Sequence, residues 1–121
     1  MAEVRPIELG QTVLDITSDW RVSTRATRPG PPERVDGLTV GLVSMSSEAP
    51  HGGEVHPDGD EILIVVSGRM RVSCDNLADF ELGPGEACIV PKGEWHRLYL
   101  IEPTQLVHIT PGPHGDHRPV D

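Results

Sequence analysis

The length and the charge of this chain limit what it can be. Its 121 residues suffice for one domain with one hydrophobic core, and 19 Asp and Glu against 10 Lys and Arg give a formal net charge of −9. The chain lacks the basic face of a duplex-binding protein, and no run approaches the ~20 apolar residues of a membrane helix, so we expect neither nucleic acid nor membrane as a partner. The opening MAEVRPIELG lacks the apolar centre of a signal peptide, which predicts a cytoplasmic protein.

The N-terminal segment, residues 1–37, is predicted to contain one strand and a covering arm. The strand is expected over residues 12–16. After it, residues 17–37 include TRATRPGPPERVDG, a stretch rich in Pro, Gly and Arg. This composition is typical of an exposed loop or of an arm that lies over the rest of the fold, and not of a linker between domains.

Residues 38–110 are predicted to be the core of a single all-β domain that spans 1–121. Short runs with apolar side chains at alternate positions are separated by the turn signals SGR, GPGE and PKGE, and no run keeps the apolar stripe of a helix. This pattern favours an antiparallel β-sandwich or β-barrel. The strands are expected at 38–45, 61–66, 69–74, 79–82, 86–90, 95–101 and 105–110. The tail, 111–121, has little that could pack and is expected to be loosely ordered.

The run ILIVV, residues 62–66, is apolar at every position. Side chains of a strand point alternately to the two faces of a sheet, so this strand must be covered on both faces. The interior of the barrel covers one face, and a second sheet or a partner subunit covers the other. We therefore expect a homodimer.

Two blocks of the core place chemically active side chains beside turns. In residues 52–68, GGEVHPDGDEILIVVSG, His56 and Glu61 stand five residues apart on either side of a PDGD turn. In residues 83–99, GPGEACIVPKGEWHRLY, two glycine-containing turns precede His96.

These blocks resemble the two motifs of the cupin superfamily. The first motif, G-x5-H-x-H-x3,4-E-x6-G, is matched by His56, Glu61 and Gly68. The second motif, G-[D]-x4-P-x-G-x2-H-x3-N, is matched by Gly85, Glu86, Pro91, Gly93 and His96. The resemblance implies an antiparallel β-barrel of the jelly-roll type that binds one divalent metal ion through its motif His and Glu residues.

The spacing of these residues has a physical reason. Because side chains alternate along the strands of a barrel, a His before a turn and a carboxylate after it converge on one point, and His96 reaches that point from another strand. Imidazole and carboxylate donors suit Fe, Mn, Ni, Co, Cu or Zn, so we expect one divalent transition metal ion as cofactor.

Two departures from the cupin motifs matter. Glu54 stands where the first motif has its first His, and Leu100 stands where the second has its closing Asn. Glu54 shares the parity of His56, so its carboxylate is expected to point into the barrel as a fourth metal ligand. Alternatively, Glu54 is a catalytic general base beside a two-His, one-carboxylate set with open positions. In a third alternative the motif has decayed and holds no metal.

Two further histidines are candidates for the site. His51 lies just before the first block, and it either replaces the missing imidazole or is exposed. His108 lies in the predicted strand LVHIT. Facing inward, His108 is a catalytic residue that orients a ligand or shuttles a proton; otherwise it is a hydrogen-bonded structural residue.

The resemblance to cupins implies a metal-dependent enzyme, either dioxygenase-like or isomerase- or decarboxylase-like, that acts on a small polar or aromatic acid. The alternative is a non-catalytic binding or sensor domain whose barrel holds a small molecule. A sugar-nucleotide epimerase is disfavoured, because only 3% of the residues are aromatic and few side chains are available to stack on sugar rings.

Overall fold

The computed structural model describes residues 3–29, 33–49 and 51–120. Within these ranges the chain forms nine antiparallel β-strands, and the all-β prediction is confirmed. The described residues contain no helix that could cross a membrane. The strands are β1 (Thr12–Thr17), β2 (Val22–Ala26), β3 (Gly37–Met45), β4 (Gly53–Val55), β5 (Glu61–Cys74), β6 (Phe80–Leu82), β7 (Ala87–Val90), β8 (His96–Gly112) and β9 (Asp116–Arg118).

Two long strands, β5 and β8, pair with each other and form the centre of the fold. The sequence predicts two shorter strands in place of each, because Ser67, Gly68 and Pro103 are turn signals. In the structure, shifts in the register of the two strands between Val65 and Met70 accommodate these residues without ending either strand.

The hydrophobic core is formed by side chains from both halves of β5, together with one side chain each from β6, β7 and β8. On β5 the buried side chains occupy odd positions before the register shift and even positions after it. The shift therefore lets both halves of one strand face the same core. The core residues are Leu63, Val65, Met70, Val72, Leu82, Val90 and Leu106.

Three strands lie where the sequence predicts none. β2 lies in the predicted arm and pairs with β1. β4 is a short strand of the first motif block. β9 lies in the tail and pairs with β4, and β8 extends to Gly112, so the expectation of a loosely ordered tail is wrong for residues 111–112 and 116–118. Neither tail strand nor arm strand has an apolar alternation, because each is stabilised mainly by backbone pairing at a sheet edge.

The order of the strands places the motif residues at one end of the sheet. Six strands follow the order β2-β1-β3-β8-β4-β9, and β5 pairs with β6, β7 and β8. The hydrogen-bonded sheet of the described residues does not close on itself. In this arrangement β8 is the neighbour of both β4 and β5, so side chains from the two motif blocks meet beside the start of β8.

Candidate metal centre

Four side chains from the two motif blocks converge at the start of β8. Glu54 lies on β4, His56 follows β4, Glu61 begins β5 and His96 begins β8. One potential ligand atom of each lies within 4.8 Å of the others, so the group could hold a metal ion. Two imidazoles and two carboxylates are donors that suit divalent transition metals.

His96 is completely buried and held at both ring nitrogens. Its Nδ1 lies 3.2 Å from the carbonyl oxygen of Glu94, and its Nε2 lies 2.9 Å from Oε1 of Glu61. Because a carbonyl only accepts, Nδ1–H donates, and Nε2 of the neutral ring keeps a lone pair that could bind a metal ion. Burial lowers the pKa of His96, but the hydrogen bond and charge of Glu61 outweigh burial and raise it. A proton shared with Glu61 therefore competes with a metal ion.

Glu61 is 2% exposed, and both of its oxygens are engaged. Oε1 faces His96, and Oε2 accepts a hydrogen bond of 2.6 Å from the hydroxyl of Thr110. Burial raises the pKa of Glu61, but the adjacent rings of His56 and His96 bring it well below its usual range. Glu61 is therefore ionised at neutral pH and oriented toward the centre of the group.

His56 provides the test of whether the group fits a metal ion. The residue is 6% exposed, and neither of its ring nitrogens has a hydrogen-bond partner among the described residues. Its Nε2 lies 3.3 Å from Oε2 of Glu61 without the geometry of a hydrogen bond. Buried polar atoms are nearly always paired in folded proteins. A cation at the centre of the group would provide the missing partner for Nε2, so the residues present fit a metal ion.

Glu54 is the most exposed member of the group, with 28% of its side chain accessible, and its Oε1 lies 3.8 Å from Nε2 of His96. Its backbone pairs with His96 on one side and with His117 on the other. The side chain points inward, as its parity with His56 predicts. Glu54 also lines the adjoining cavity, so it is placed to bind an ion or to contact a molecule bound beside that ion.

A cavity of about 740 Å³ adjoins the group. Its polar wall includes three of the four candidate ligands, together with His108 and Thr110. The apolar residues of the wall include Val13, Val43, Met45, Leu63, Leu98 and Leu106. A volume of this size, with apolar walls and a few converging polar groups, is typical of sites for small organic molecules.

His108 lies in this cavity and outside the ligand group. The single hydroxyl proton of Thr110 is donated to Glu61, so Thr110 accepts from Nδ1–H of His108 at 2.7 Å. The other nitrogen, Nε2, then carries a lone pair. Burial and the positive charge of Arg34 lower the pKa of His108 to about 4, so the ring is neutral at neutral pH.

His51 also lines the cavity, but it is not a member of the four-residue group. Its Nδ1 accepts a hydrogen bond of 3.3 Å from the backbone N–H of Gly53, and its ring lies 6.0 Å from that of His117. The position of the motif's first His is filled in space by Glu54 and not by His51.

Sequence reasoning missed two residues of this region, Thr110 and Arg34. Thr110 lies two residues after His108 on β8 and shares its face, so the strand alternation contained a signal for it. Arg34 lies in the segment rich in Pro and Gly, where no periodicity fixes the direction of a side chain. Its presence in the cavity wall follows only from the three-dimensional structure.

Comparisons with known proteins agree with this fold. A family model described as a cupin domain matches residues 41–110, more than half of the chain. A solved protein from Bacillus halodurans is 33% identical, with a TM-score of 0.55 over 69% of this chain and 71% of that chain. A cupin-2 domain containing protein from Shewanella frigidimarina is 27% identical, with a TM-score of 0.53 over 67% of this chain and 76% of that chain.

Oxalate decarboxylase from Bacillus subtilis, which has Mn(II) centres, is 22% identical, with a TM-score of 0.57 over 66% of this chain and 23% of that chain. At this identity the likeness concerns the fold alone. The jelly-roll prediction is confirmed by the likeness of the sheet to these structures. With its two motifs and its matched segment of 41–110, the chain belongs to the cupin family.

Proposed function

We propose that this cupin is a metal-dependent enzyme that acts on a small polar or aromatic acid. One divalent transition metal ion is bound by Glu54, His56, Glu61 and His96, and the acid lies in the adjoining cavity. The proposal depends chiefly on the buried ring of His56, whose Nε2 faces Glu61 and has no hydrogen-bond partner among the described residues. A metal ion is the partner that suits this nitrogen and the two carboxylates at once.

The ion supplies Lewis acidity, which stabilises negative charge on an oxygen of the substrate. The protein's own residues orient the substrate and move protons. The hydrogen bond that the hydroxyl of Thr110 donates to Oε2 of Glu61 fixes the orientation of this carboxylate. His108 is neutral and presents the lone pair of Nε2, so it serves as proton acceptor for a molecule in the cavity.

Dioxygenase-like and isomerase- or decarboxylase-like reactions both suit this arrangement. A dioxygenase consumes dioxygen and the other two do not, so oxygen uptake separates them. A non-catalytic binding or sensor domain is the alternative, and one observation favours it. Four protein ligands leave fewer open positions on an ion than three, and closed shells are typical of structural sites.

We also propose that two chains pair through the outer face of the sheet. Leu63 and Val65 face the core, whereas Ile62 and Ile64 remain partly exposed and Val66 is 50% exposed. Cross-strand partners extend this apolar outer face over four strands. It consists of Val40, Ile62, Ile64, Ile89, Val107 and Ile109. A contiguous apolar face of this kind is typical of an interface, and a second copy offers a surface of the same chemistry.

Replacement of His96 tests the metal centre. We expect the protein, purified without a polyhistidine tag, to contain about one metal ion per chain, and His96→Ala to lose most of it, because a ligand nitrogen is removed. His51→Ala is the control, since His51 lines the same cavity without belonging to the group. An excess of the ion should raise the melting temperature of the wild type and not that of His96→Ala. Elemental analysis and thermal unfolding are the measurements.

Two results would count against the proposal. Equal metal content in His96→Ala and in the wild type contradicts the ligand assignment. About one ion per chain, without oxygen uptake or turnover of any small acid, excludes the enzyme and leaves the binding domain.

A further inference from the structure

Arg34 is a cation in the cavity wall that has no hydrogen-bond partner among the described residues. It lines the same cavity as Glu54, Glu61 and His96 and is partly buried. Arg34 makes no hydrogen bond or ion pair with the residues that the structure describes. Burial lowers its pKa, but an arginine remains charged at neutral pH. A partly buried guanidinium normally has an anionic or carbonyl partner, so Arg34 is available for one.

The chain around Arg34 is held in place by its neighbours. Arg25 of β2 forms hydrogen bonds of 2.6 Å and 3.2 Å with the two carboxylate oxygens of Asp15, and its Nη2 donates to the carbonyl oxygen of Glu33 at 2.6 Å. On the other side, Gly112 of β8 packs so closely that a methyl group there would overlap Cβ of Arg34. The position of Arg34 in the wall is therefore built into the fold.

Glu54, Glu61 and Asp15 attract Arg34 electrostatically, but each of these carboxylates has another cation to balance. Asp15 is already paired with Arg25. Glu54 and Glu61 together balance the two positive charges of a divalent ion at the proposed centre. Arg34 then adds one positive charge that no described acidic residue pairs with, and an anionic group of the ligand is its natural partner.

We infer that Arg34 binds the carboxylate of the substrate and holds its other end toward His108 and the metal centre. The inference rests on the proposed function and assigns the recognition of the acid to one side chain. The planar guanidinium can donate two parallel hydrogen bonds to a carboxylate, which fixes orientation as well as charge. The apolar wall on the other side of the cavity suits a ligand with an apolar body, such as an aromatic acid.

The other arginines of the cavity are less suited to this role. Arg25 is engaged by Asp15, and the guanidinium of Arg97 lies 4.8 Å from the ring centre of Tyr99. Arg28 is exposed. Since Arg28 lines the same cavity and carries the same charge, it provides a matched control for Arg34.

Binding of benzoate, measured by calorimetry with the full chain, tests this role. We expect Arg34→Gln to weaken benzoate binding at least about tenfold, because charge-assisted hydrogen bonds are lost. Arg34→Lys should give an intermediate loss of benzoate affinity, since lysine keeps the positive charge but cannot form two parallel hydrogen bonds to a carboxylate. Arg28→Gln should bind as the wild type does, and benzamide, the neutral analogue, should not distinguish the wild type from Arg34→Gln.

Benzoate affinity that is unchanged in Arg34→Gln, weakened equally in Arg28→Gln, or absent from the wild type would overturn the inference. If Arg34→Gln does not fold, the benzoate affinity of Arg34→Lys is the test. Wild-type affinity in Arg34→Lys would contradict the two parallel hydrogen bonds from the guanidinium to the carboxylate. Metal content, measured in the same samples, should be equal in the wild type and in Arg34→Gln. A wild type without metal refutes the proposed function, whereas the ratio of benzoate affinities still tests Arg34.

Discussion

Glu54 is the member of the candidate metal centre at which this chain departs from the cupin motif. A carboxylate at this place changes the charge of the site, because Glu54 and Glu61 together would balance a divalent ion. The partial exposure of Glu54, 28% against 0% for His96, also places it between the buried ligands and the cavity. This position suits either a metal ligand or a general base, and mutation of Glu54 separates the two roles.

We expect Glu54→Gln to weaken metal binding at least about tenfold, since an amide replaces a charged ligand atom. Glu54→His should restore binding and recreate the ordinary motif. Glu48→Gln is the control, because Glu48 lines the same cavity and lies outside the ligand group. Metal titration measures the effect. If Glu54→Gln keeps full metal affinity and loses turnover, Glu54 is a general base and not a ligand.

At the scale of the strand, the register shift of β5 explains the closing glycine of the first motif. Gly68 has a φ of 88°, a conformation that side chains with a Cβ rarely adopt. A methyl group there would also overlap the carbonyl oxygen of Pro103 and lie 2.7 Å from Cα of Thr104. The glycine thus allows β8 to pass close to β5 where the two strands bend.

Gly68→Ala should therefore lower the free energy of unfolding by about 3 kcal/mol or more, from backbone strain and steric overlap together. Gly85→Ala is the matched control. Gly85 has a similar φ of 81°, but a methyl group there would meet nothing within 4 Å. We expect it to cost only about 1 kcal/mol. Urea unfolding gives both free energies. Equal losses of stability in the two variants would show that the overlap with Pro103 does not contribute to the cost of Gly68→Ala.

The sequence predicts those strands and candidate metal ligands whose signals lie close together in the chain. Glu54, His56 and Glu61 lie within eight residues around one turn, so alternation alone brings them to one side. The continuity of β5 and β8 was not predictable, because Gly68 and Pro103 are turn signals unless a distant strand accommodates them. The strand β9 and the direction of Arg34 depend on contacts with residues far away in the sequence.

For the molecule as a whole, Asp15 links three strands and affects stability in acid. It is 4% exposed, and it accepts hydrogen bonds from Arg25 of β2 and Thr39 of β3. Burial raises its pKa, but these hydrogen bonds and the charge of Arg25 outweigh burial and lower the pKa below its ordinary value of 3.8. The stabilisation is therefore fully present above about pH 3.8, the pKa of the unfolded state, and it is lost as the pH falls through the lower pKa of the folded state.

We expect the wild type to lose more stability than Asp15→Asn when the pH falls from about 5 to about 3. In this pH range the unfolded wild type takes up a proton at Asp15, which favours unfolding, and Asp15→Asn has no such carboxylate. Asp36→Asn, which removes an exposed carboxyl group, should behave as the wild type does. Urea unfolding in the presence of a chelator keeps metal release out of the comparison. Parallel pH profiles for wild type and Asp15→Asn would refute the role of Asp15.

The apolar outer face predicts a dimer in solution. Light scattering at micromolar concentration should give twice the mass of one chain, and Ile62→Glu should give the mass of one, since it places a charge in the centre of that face. Ile101→Glu is the control, because Ile101 is 51% exposed and lies outside the defined face. A wild type with the mass of one chain would contradict the proposed pairing.

The short strand β9 brings the C-terminal segment of the chain beside the candidate metal centre. It pairs with the strand that carries Glu54, and the backbone N–H of Gly52 donates to the carbonyl oxygen of Arg118 at 2.7 Å. Only three residues would therefore separate this strand from an affinity handle fused after residue 121. A polyhistidine handle at that end would bring additional metal-binding imidazoles close to the candidate centre, and the measured metal content would then include ions bound by the handle. For purification, the handle belongs at the other end of the chain.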